Sequence, residues 1–319
     1  MPYDFILNVF LLIGGIALLI RSGLWAVGAL TKLSQFLGVS EYSVSFILMA
    51  FATTLPEFFV GLSAASGGKP LLSLGNVFGS NIVNLGLILG LIVLASGGIK
   101  IKDAAARSDS WIIFALAALP AVLMLDLKLS RLEGFLLITA FFAYLGHLLR
   151  LKDVLEGKAK AFRLNGAVSV RVFFAQFGLF VVSAALLLLA AFLTIKGAKG
   201  ISAALGASEL IIGLFLLAIG TSLPEFFFGL RAALHHHEGL SVGNLLGAAV
   251  LNSTWVLGVT AVIAPIKMAD GQAFLISAVA MVLLIFLVNL FVRTRLAISR
   301  GEGLVLLAIY AVFFAASLF

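Results

Sequence analysis

GVSEYSVSFILMAFATTLPEFFVGL, residues 38–62, recurs 168 positions later as GASELIIGLFLLAIGTSLPEFFFGL, residues 206–230. Extended without a gap to 38–86 and 206–254, the two segments are identical at 21 of 49 positions. The extension sets SLGNVFGSNIVN (73–84) opposite SVGNLLGAAVLN (241–252). Shared hydrophobic composition would match Leu with Ile. It would not place Pro-Glu and Gly-Asn at identical offsets, so the chain is built from two copies of one unit.

The solvent of that unit is lipid. Of 319 residues, 62% are hydrophobic and only 11% are charged, whereas a soluble domain spends about a quarter of its residues on charge. A helix crossing the hydrocarbon core needs about 20 mostly apolar residues. Ten stretches qualify, near 4–21, 42–66, 71–97, 110–125, 132–149, 171–195, 209–234, 240–264, 271–292 and 302–319. The expected fold is all-α and integral to the membrane, with ten transmembrane helices. The start of the chain has neither a basic n-region nor a small-residue cleavage site, so residues 5–20 read as a retained first helix. Cysteine is absent, which removes disulfides and thiolate metal sites.

The net charge of +7 belongs to the membrane and not to nucleic acid, because basic residues collect in cytoplasmic loops. With ten spans and the N-terminus outside, the inner loops hold Arg21, Lys32, Lys100, Lys102, Arg107, Arg150, Lys152, Lys158, Lys160, Arg163, Arg171, Arg231, Arg293, Arg295 and Arg300. The outer side keeps Lys69, Lys128, Arg131, Lys196, Lys199 and Lys267. Fifteen against six places both termini outside the cell. The domains expected are a first five-helix repeat over 1–150, a cytoplasmic linker over 151–170 and a second five-helix repeat over 171–319. Five is odd, so the second copy enters the membrane inverted. Inverted repeats are the architecture of many secondary transporters, whose substrate sites lie where the repeats meet, on helices interrupted by Gly or Pro. Here those helices are the second and the seventh.

Of 14 acidic residues, only Glu57 and Glu225 fall well inside the expected spans. An ionised side chain at that depth costs at least about 2.5–3.5 kcal/mol. No Lys or Arg lies deep within the spans to compensate, which leaves protonated structural glutamates or a cation site. Thr53 and Glu57 are i and i+4 on one helix face, as are Thr221 and Glu225. A polar stripe of Asn76, Ser80 and Asn84 recurs as Asn244, Ala248 and Asn252. Pro56 and Pro224 lack an N–H and leave the carbonyls of Ala52 and Gly220 without a helical partner. Carboxylates, hydroxyls, amides and freed carbonyls are an all-oxygen set suited to hard cations, above all Ca²⁺. Gly75 and Gly79, matched by Gly243 and Gly247, are spaced for close helix packing.

These motifs resemble the alpha repeats of the cation/Ca²⁺ exchanger superfamily, in particular its prokaryotic sodium/calcium exchangers. The family's G-T-S-L-P-E pattern stands here as AlaThrThrLeuProGlu at 52–57 and GlyThrSerLeuProGlu at 220–225, and its G-N-x-x-G-S-N motif as 75–81, followed by Asn84. The resemblance implies a secondary antiporter, not an enzyme, exchanging Na⁺ for Ca²⁺ by alternating access in the plasma membrane. It implies that Glu57 and Glu225 bind Ca²⁺ and share Na⁺. Thr53, Thr54 and Ser80 with the Ala50 carbonyl would line one Na⁺ site. Thr221 and Ser222 with the Ala218 carbonyl would line another, and Asn84 and Asn252 would occupy the centre. Two departures stand out. GlyAlaAla at 247–249 replaces Gly-Ser-Asn, so the hydroxyl expected at Ala248 is missing, and Asn252 stands where several members carry Asp. The family associates that Asp with K⁺ co-transport, so Asn implies K⁺ independence.

The expected partners are Ca²⁺, Na⁺ and the lipid bilayer, with no cofactor beyond the transported ions and a monomer as the functional unit. The alternative counter-ion is H⁺, taken up by the same two glutamates. His235, His236, His237 and Glu238 look like a metal site but read as a loop. Asn252-Ser-Thr matches a glycosylation sequon yet sits inside a span. A passive channel would need pore loops or a subunit ring, and an intramembrane hydrolase a catalytic triad at depth. The sequence shows neither.

Overall fold

Apolar runs unbroken by Gly-Pro punctuation can satisfy their backbone groups in lipid only by winding into helices, and helices account for nearly all of the computed structural model. The structure describes residues 2–36, 50–101, 109–156, 170–206, 208–269 and 271–317. Its helices are α1 (Pro2–Phe36), α2 (Leu55–Ser66), α3 (Pro70–Ser96), α4 (Ser110–Leu123), α5 (Arg131–Glu156), α6 (Val170–Leu205), α7 (Glu209–Thr221), α8 (Leu223–Leu234), α9 (Glu238–Ile263), α10 (Gly271–Arg295) and α11 (Arg300–Ala316). Over the described residues, each expected stretch falls on one of these helices or, for 209–234, on the pair α7 and α8; the stretch 42–66 is described only from residue 50, where a short helical segment precedes α2. The fold is an all-α membrane fold. By length and composition, five helices among the described residues suffice to cross a bilayer, and the bent pair α7–α8 makes a sixth.

Several expected boundaries move. The first span, expected over 4–21, is a helix of 35 residues, and the sixth, expected over 171–195, one of 36. Neither C-terminal extension contains a proline, and α1 and α6 pack against each other extensively, so packing carries each helix past its apolar run. At 1.5 Å per residue each is about 50 Å long, well beyond a hydrocarbon core of about 30 Å. α5 runs to Glu156, so the expected linker begins as helix. Its remainder (157–169), the start of the first repeat (38–49) and Lys102 and Arg107 lie outside the described residues.

Local signals explain the fifth helix of each half. Ser130 and Glu133 bond reciprocally at the start of α5: the Ser130 N–H donates to Glu133 Oε2 at 2.7 Å, and the Glu133 N–H donates to Ser130 Oγ at 3.3 Å. Ser299 and Glu302 repeat the arrangement, with the same two distances, at α11. Each is a capping box that satisfies helix-end donors.

Two packing units result. One holds α1 and α6, with Leu12, Leu19, Ala26, Leu187, Ala190 and Ala191 buried in its core. The other centres on α3 and α9, the most buried of the long helices. α1 meets the rest where Gly23 faces both broken helices, for a Cβ there would stand 3.2 Å from the Pro56 ring and 3.5 Å from that of Pro224.

Four short strands bind the halves together. β1 (Ile99–Lys100) pairs antiparallel with β4 (Ala297–Ile298), and β2 (Lys128–Leu129) pairs with β3 (Ile266–Lys267). Each ribbon joins the two repeats. β1 follows the end of α3 and contacts the N-terminal part of α9, while β3 follows the end of α9 and contacts the N-terminal part of α3. The ribbons therefore cap opposite ends of the α3/α9 pair, and the central helices of the two repeats run antiparallel.

Candidate ion-binding site

The site begins with two helix breaks. The helix entering from Ala50 turns at Thr54, and α2 restarts at Leu55 with Pro56 in its first turn. In the second repeat α7 ends at Thr221 and α8 starts at Leu223, bent by 43°. Proline cannot donate inward and clashes with the preceding turn, so the break falls just ahead of each Pro-Glu. Each Glu is thus lifted into the first turn of a new helix, and both side chains are fully buried, with 0% exposure.

Glycines then bring the central helix alongside. A Cβ on Gly75 would run into the backbone of Leu210 and Gly213, and one on Gly79 into Leu214 and Ala218. Without side chains at 75 and 79, α3 and α7 touch backbone to backbone. That approach delivers Thr221 to the polar stripe of α3. Thr221 Oγ1 donates to Asn76 Oδ1 at 3.1 Å and stands 3.3 Å from Ser80 Oγ. Ser80 Oγ in turn reaches Glu57 Oε1 at 3.4 Å. In the mirrored position, Thr53 Oγ1 donates to Asn244 Oδ1 at 3.3 Å. Glu57 also faces Thr221 and Ser222 of the other repeat, and Glu225 faces Thr53. Each carboxylate thus looks onto hydroxyls from the opposite half of the chain, and the two carboxylates are close enough for their charges to repel.

The side chains expected from the sequence to line the site are all withdrawn from the surface. Thr53, Thr54, Glu57, Ser80, Asn84, Thr221, Ser222, Glu225 and Asn252 are all buried. The Ala50 and Ala218 carbonyls lie at the same breaks. They accept N–H groups from Thr54 and Ser222 at 3.0 and 3.1 Å, and each has a threonine hydroxyl 3.4 Å away.

Among the described residues, no protein partner reaches Thr54 Oγ1, Glu57 Oε2, Ser222 Oγ, either oxygen of Glu225, either polar atom of Asn84, or Asn252 Oδ1. Removing one partner from a buried ion pair costs about 3–5 kcal/mol, so a pair of buried carboxylates facing only neutral oxygens is stable when cations or protons join it. Five of these eight unpartnered atoms are carboxylate or hydroxyl oxygens, and two more are amide oxygens. The donor set is that of a hard cation.

Three features escaped the sequence reading. Asn84 and Asn252 sit in π-helical turns, Asn84 in Val83–Ile88 and Asn252 at the start of Asn252–Val256. Such turns are frequent at functional sites, and no residue pattern marks them. Asn76 and Asn244, read only as part of a polar stripe, are the acceptors that hold Thr221 and Thr53. Asn81 and Ser253 make a hydrogen-bonded bridge beneath Asn252. The Asn252-Ser-Thr sequon is wholly buried. His235 Nδ1 lies 2.8 Å from the Arg231 carbonyl at the end of α8, and His236 Nδ1 lies 3.9 Å from Glu238 Oε1.

The sequence profile of the sodium/calcium exchanger protein family matches residues 7–150 and 175–319, nearly the whole chain. The chain belongs to that family. A membrane protein of Methanocaldococcus jannaschii is 30% identical over 307 residues, covering 96% of this chain and 97% of its own length. The sodium/calcium exchanger MaX1 of Methanosarcina acetivorans is 26% identical, covering 96% and 97%. Among solved structures, the sodium-calcium exchanger NCX_Mj soaked with 10 mM Na⁺ and zero Ca²⁺ matches with a TM-score of 0.69 and 28% identity, over 98% of this chain and 99% of that one. The family match spans both halves, so this exchanger family member carries its two Pro-Glu breaks within the matched regions.

Proposed function

We propose that the protein is a secondary antiporter that exchanges Na⁺ for Ca²⁺ by alternating access. The observation that carries this reading is the pair of fully buried carboxylates, Glu57 and Glu225, ringed by hydroxyl and amide oxygens from both repeats. The similar NCX_Mj structures, which concern extracellular ion exchange and binding-site occlusion in a sodium-calcium exchanger, support it.

In this mechanism Glu57 and Glu225 hold Ca²⁺ and are shared by Na⁺. Thr53, Thr54, Ser80 and the Ala50 carbonyl complete one Na⁺ site, Thr221, Ser222 and the Ala218 carbonyl complete another, and Asn84 and Asn252 supply the centre. The two carboxylates give the site a charge of −2. One Ca²⁺ neutralises it, and the loaded site can cross the midplane while the empty dianion cannot do so cheaply. Three Na⁺ leave it at +1, so exchange is electrogenic. Asn at 252 adds no charge, and K⁺ is not needed. The working unit is a monomer in the plasma membrane, with ten spans, both termini outside and the 151–170 linker in the cytoplasm.

The same glutamates could exchange Ca²⁺ for H⁺. The hydroxyls of Thr53, Thr54, Thr221 and Ser222 favour Na⁺. The deciding measurement is ⁴⁵Ca uptake into proteoliposomes under an imposed Na⁺ gradient, with and without K⁺, against an imposed pH gradient. Uptake that follows Na⁺, ignores K⁺ and responds to membrane potential is expected. Uptake that follows only the pH gradient assigns the protein to proton coupling.

A further inference from the structure

The central asparagines Asn84 and Asn252 are repeat counterparts, yet their surroundings differ in kind. Both polar atoms of the Asn84 amide are unpartnered, whereas at Asn252 only Oδ1 is. The cause is a chain of hydrogen bonds beneath Asn252 whose direction is dictated from its far end.

That end is the main-chain carbonyl of Ala117 on α4, which can only accept. Ser253 Oγ donates to it at 2.9 Å, leaving the hydroxyl's lone pairs for a second partner. Asn81 Nδ2 fills that role at 2.9 Å. The same nitrogen faces the Ala249 carbonyl at 3.5 Å and Met281 Sδ at 3.6 Å, two further groups that cannot donate. A reversed Asn81 amide would set its oxygen against three acceptors. Asn81 is thereby locked with its NH₂ toward Ser253 and its Oδ1 toward Asn252. Asn252 must then donate, and its Nδ2 does so at 3.2 Å. The remaining atom, Asn252 Oδ1, is turned away from the chain with no protein partner. Ser253, Asn81 and Asn252 are all fully buried, so water does not compete for these bonds.

Resting on the ion-exchange reading above, we infer that Asn81 and Ser253 are positioning residues that fix the Asn252 amide so that it presents oxygen, never N–H, to the transported cation. Buried groups that orient a metal ligand commonly matter about 10- to 100-fold in affinity. The device exists once. The repeat counterpart of Asn81 is Ala249, and that of Ser253 is Leu85. Asn84 therefore keeps a rotatable amide that can turn its oxygen to a cation or its N–H₂ to a carboxylate, while Asn252 is a preset ligand. The two halves of the centre divide an adaptable role from a fixed one.

The test is Ca²⁺ binding to the purified full-length protein by isothermal titration. Ser253→Ala leaves Asn81 free to turn and should weaken Ca²⁺ about tenfold, while Ser253→Thr, which keeps the hydroxyl, should restore most of the loss. In an Asn252→Asp background both ligand atoms are oxygens and the locked Asn81 Oδ1 faces a group that cannot donate, so Ser253→Ala frees Asn81 to turn and should there cause no loss of affinity. This non-additivity is the signature of coupling through Asn81, and a merely structural role for Ser253 would not produce it. If Ser253→Ala is not monodisperse, Ser253→Cys carries the same comparison at similar volume. Equal losses in both backgrounds, or none in either, would overturn the relay while leaving the ion site intact. Absence of any Ca²⁺ heat in the unmodified protein, with Glu57→Gln as the blank, would instead overturn the ion-site reading and the relay with it.

Discussion

Ser80 Oγ stands 3.4 Å from Glu57 Oε1 and 3.3 Å from Thr221 Oγ1, bridging a carboxylate of one repeat to a hydroxyl of the other. The counterpart of Ser80 is Ala248, so Glu225 has no equivalent bridge and both its oxygens are unpartnered. The pseudo-symmetric site is chemically lopsided at this position.

That asymmetry predicts the effect of Ala248→Ser. A hydroxyl restored beside Glu225 supplies the missing neutral ligand, and a hydrogen bond is worth about 0.5–1.5 kcal/mol. The Na⁺ concentration for half-maximal Ca²⁺ uptake should fall about two- to tenfold. An unchanged or raised Na⁺ requirement would show that the Glu225 side of the site does not limit Na⁺ binding.

The carboxylates themselves are less forgiving. Glu57→Gln or Glu225→Gln removes half the formal charge of the site and a ligand from an oxygen cage, while preserving side-chain volume. Each variant should express as a folded, monodisperse protein with no measurable ⁴⁵Ca exchange. Near-normal exchange in both would refute a role for these glutamates in holding the ion.

Packing at the α3/α7 contact can be tested by adding one methyl group. Gly79→Ala places a Cβ against Leu214 and within 2.6 Å of the Ala218 Cβ, an overpacking that typically costs about 1–3 kcal/mol. Gly146→Ala on α5 meets nothing within 4 Å and should be neutral or slightly stabilising, since Gly inside a helix costs about 0.5–1 kcal/mol relative to Ala. Thermal unfolding in detergent should show a lowered midpoint for the first and not for the second. Equal midpoints would mean that α3 and α7 are free to move apart.

Topology is accessible because the chain has no cysteine. Ser66, at the end of α2, and His237, after α8, are both exposed and occupy corresponding loops of the two repeats. Single Ser66→Cys and His237→Cys variants in intact cells should react from opposite sides with an impermeant thiol reagent, Ser66→Cys from outside. Labelling of both from one side would rule out the inverted arrangement.

The internal repeat, the membrane class and the identity of the buried acids were all legible in the sequence, for one physical reason. In lipid, charge is so costly that the two Pro-Glu pairs stand out against an apolar background, and exact spacing at 168 residues pairs them without any structure. Helix ends were less legible. α1 and α6 continue beyond their apolar runs because they pack on each other, which no single-helix pattern reports. The π-helical turns at Asn84 and Asn252 carry no residue pattern that announces them. Which hydroxyl faces which carboxylate was also beyond the sequence: Thr221 and Ser222 serve Glu57, and Thr53 serves Glu225, because the repeats interlock through the glycine faces of α3. The direction of the Asn252 amide was the least visible of all. It is set by a main-chain carbonyl on α4, at Ala117, and a backbone acceptor leaves no trace in residue types. Sequence determined which groups could bind a cation; only the tertiary structure decided how each is turned, because orientation depends on neighbours far apart along the chain.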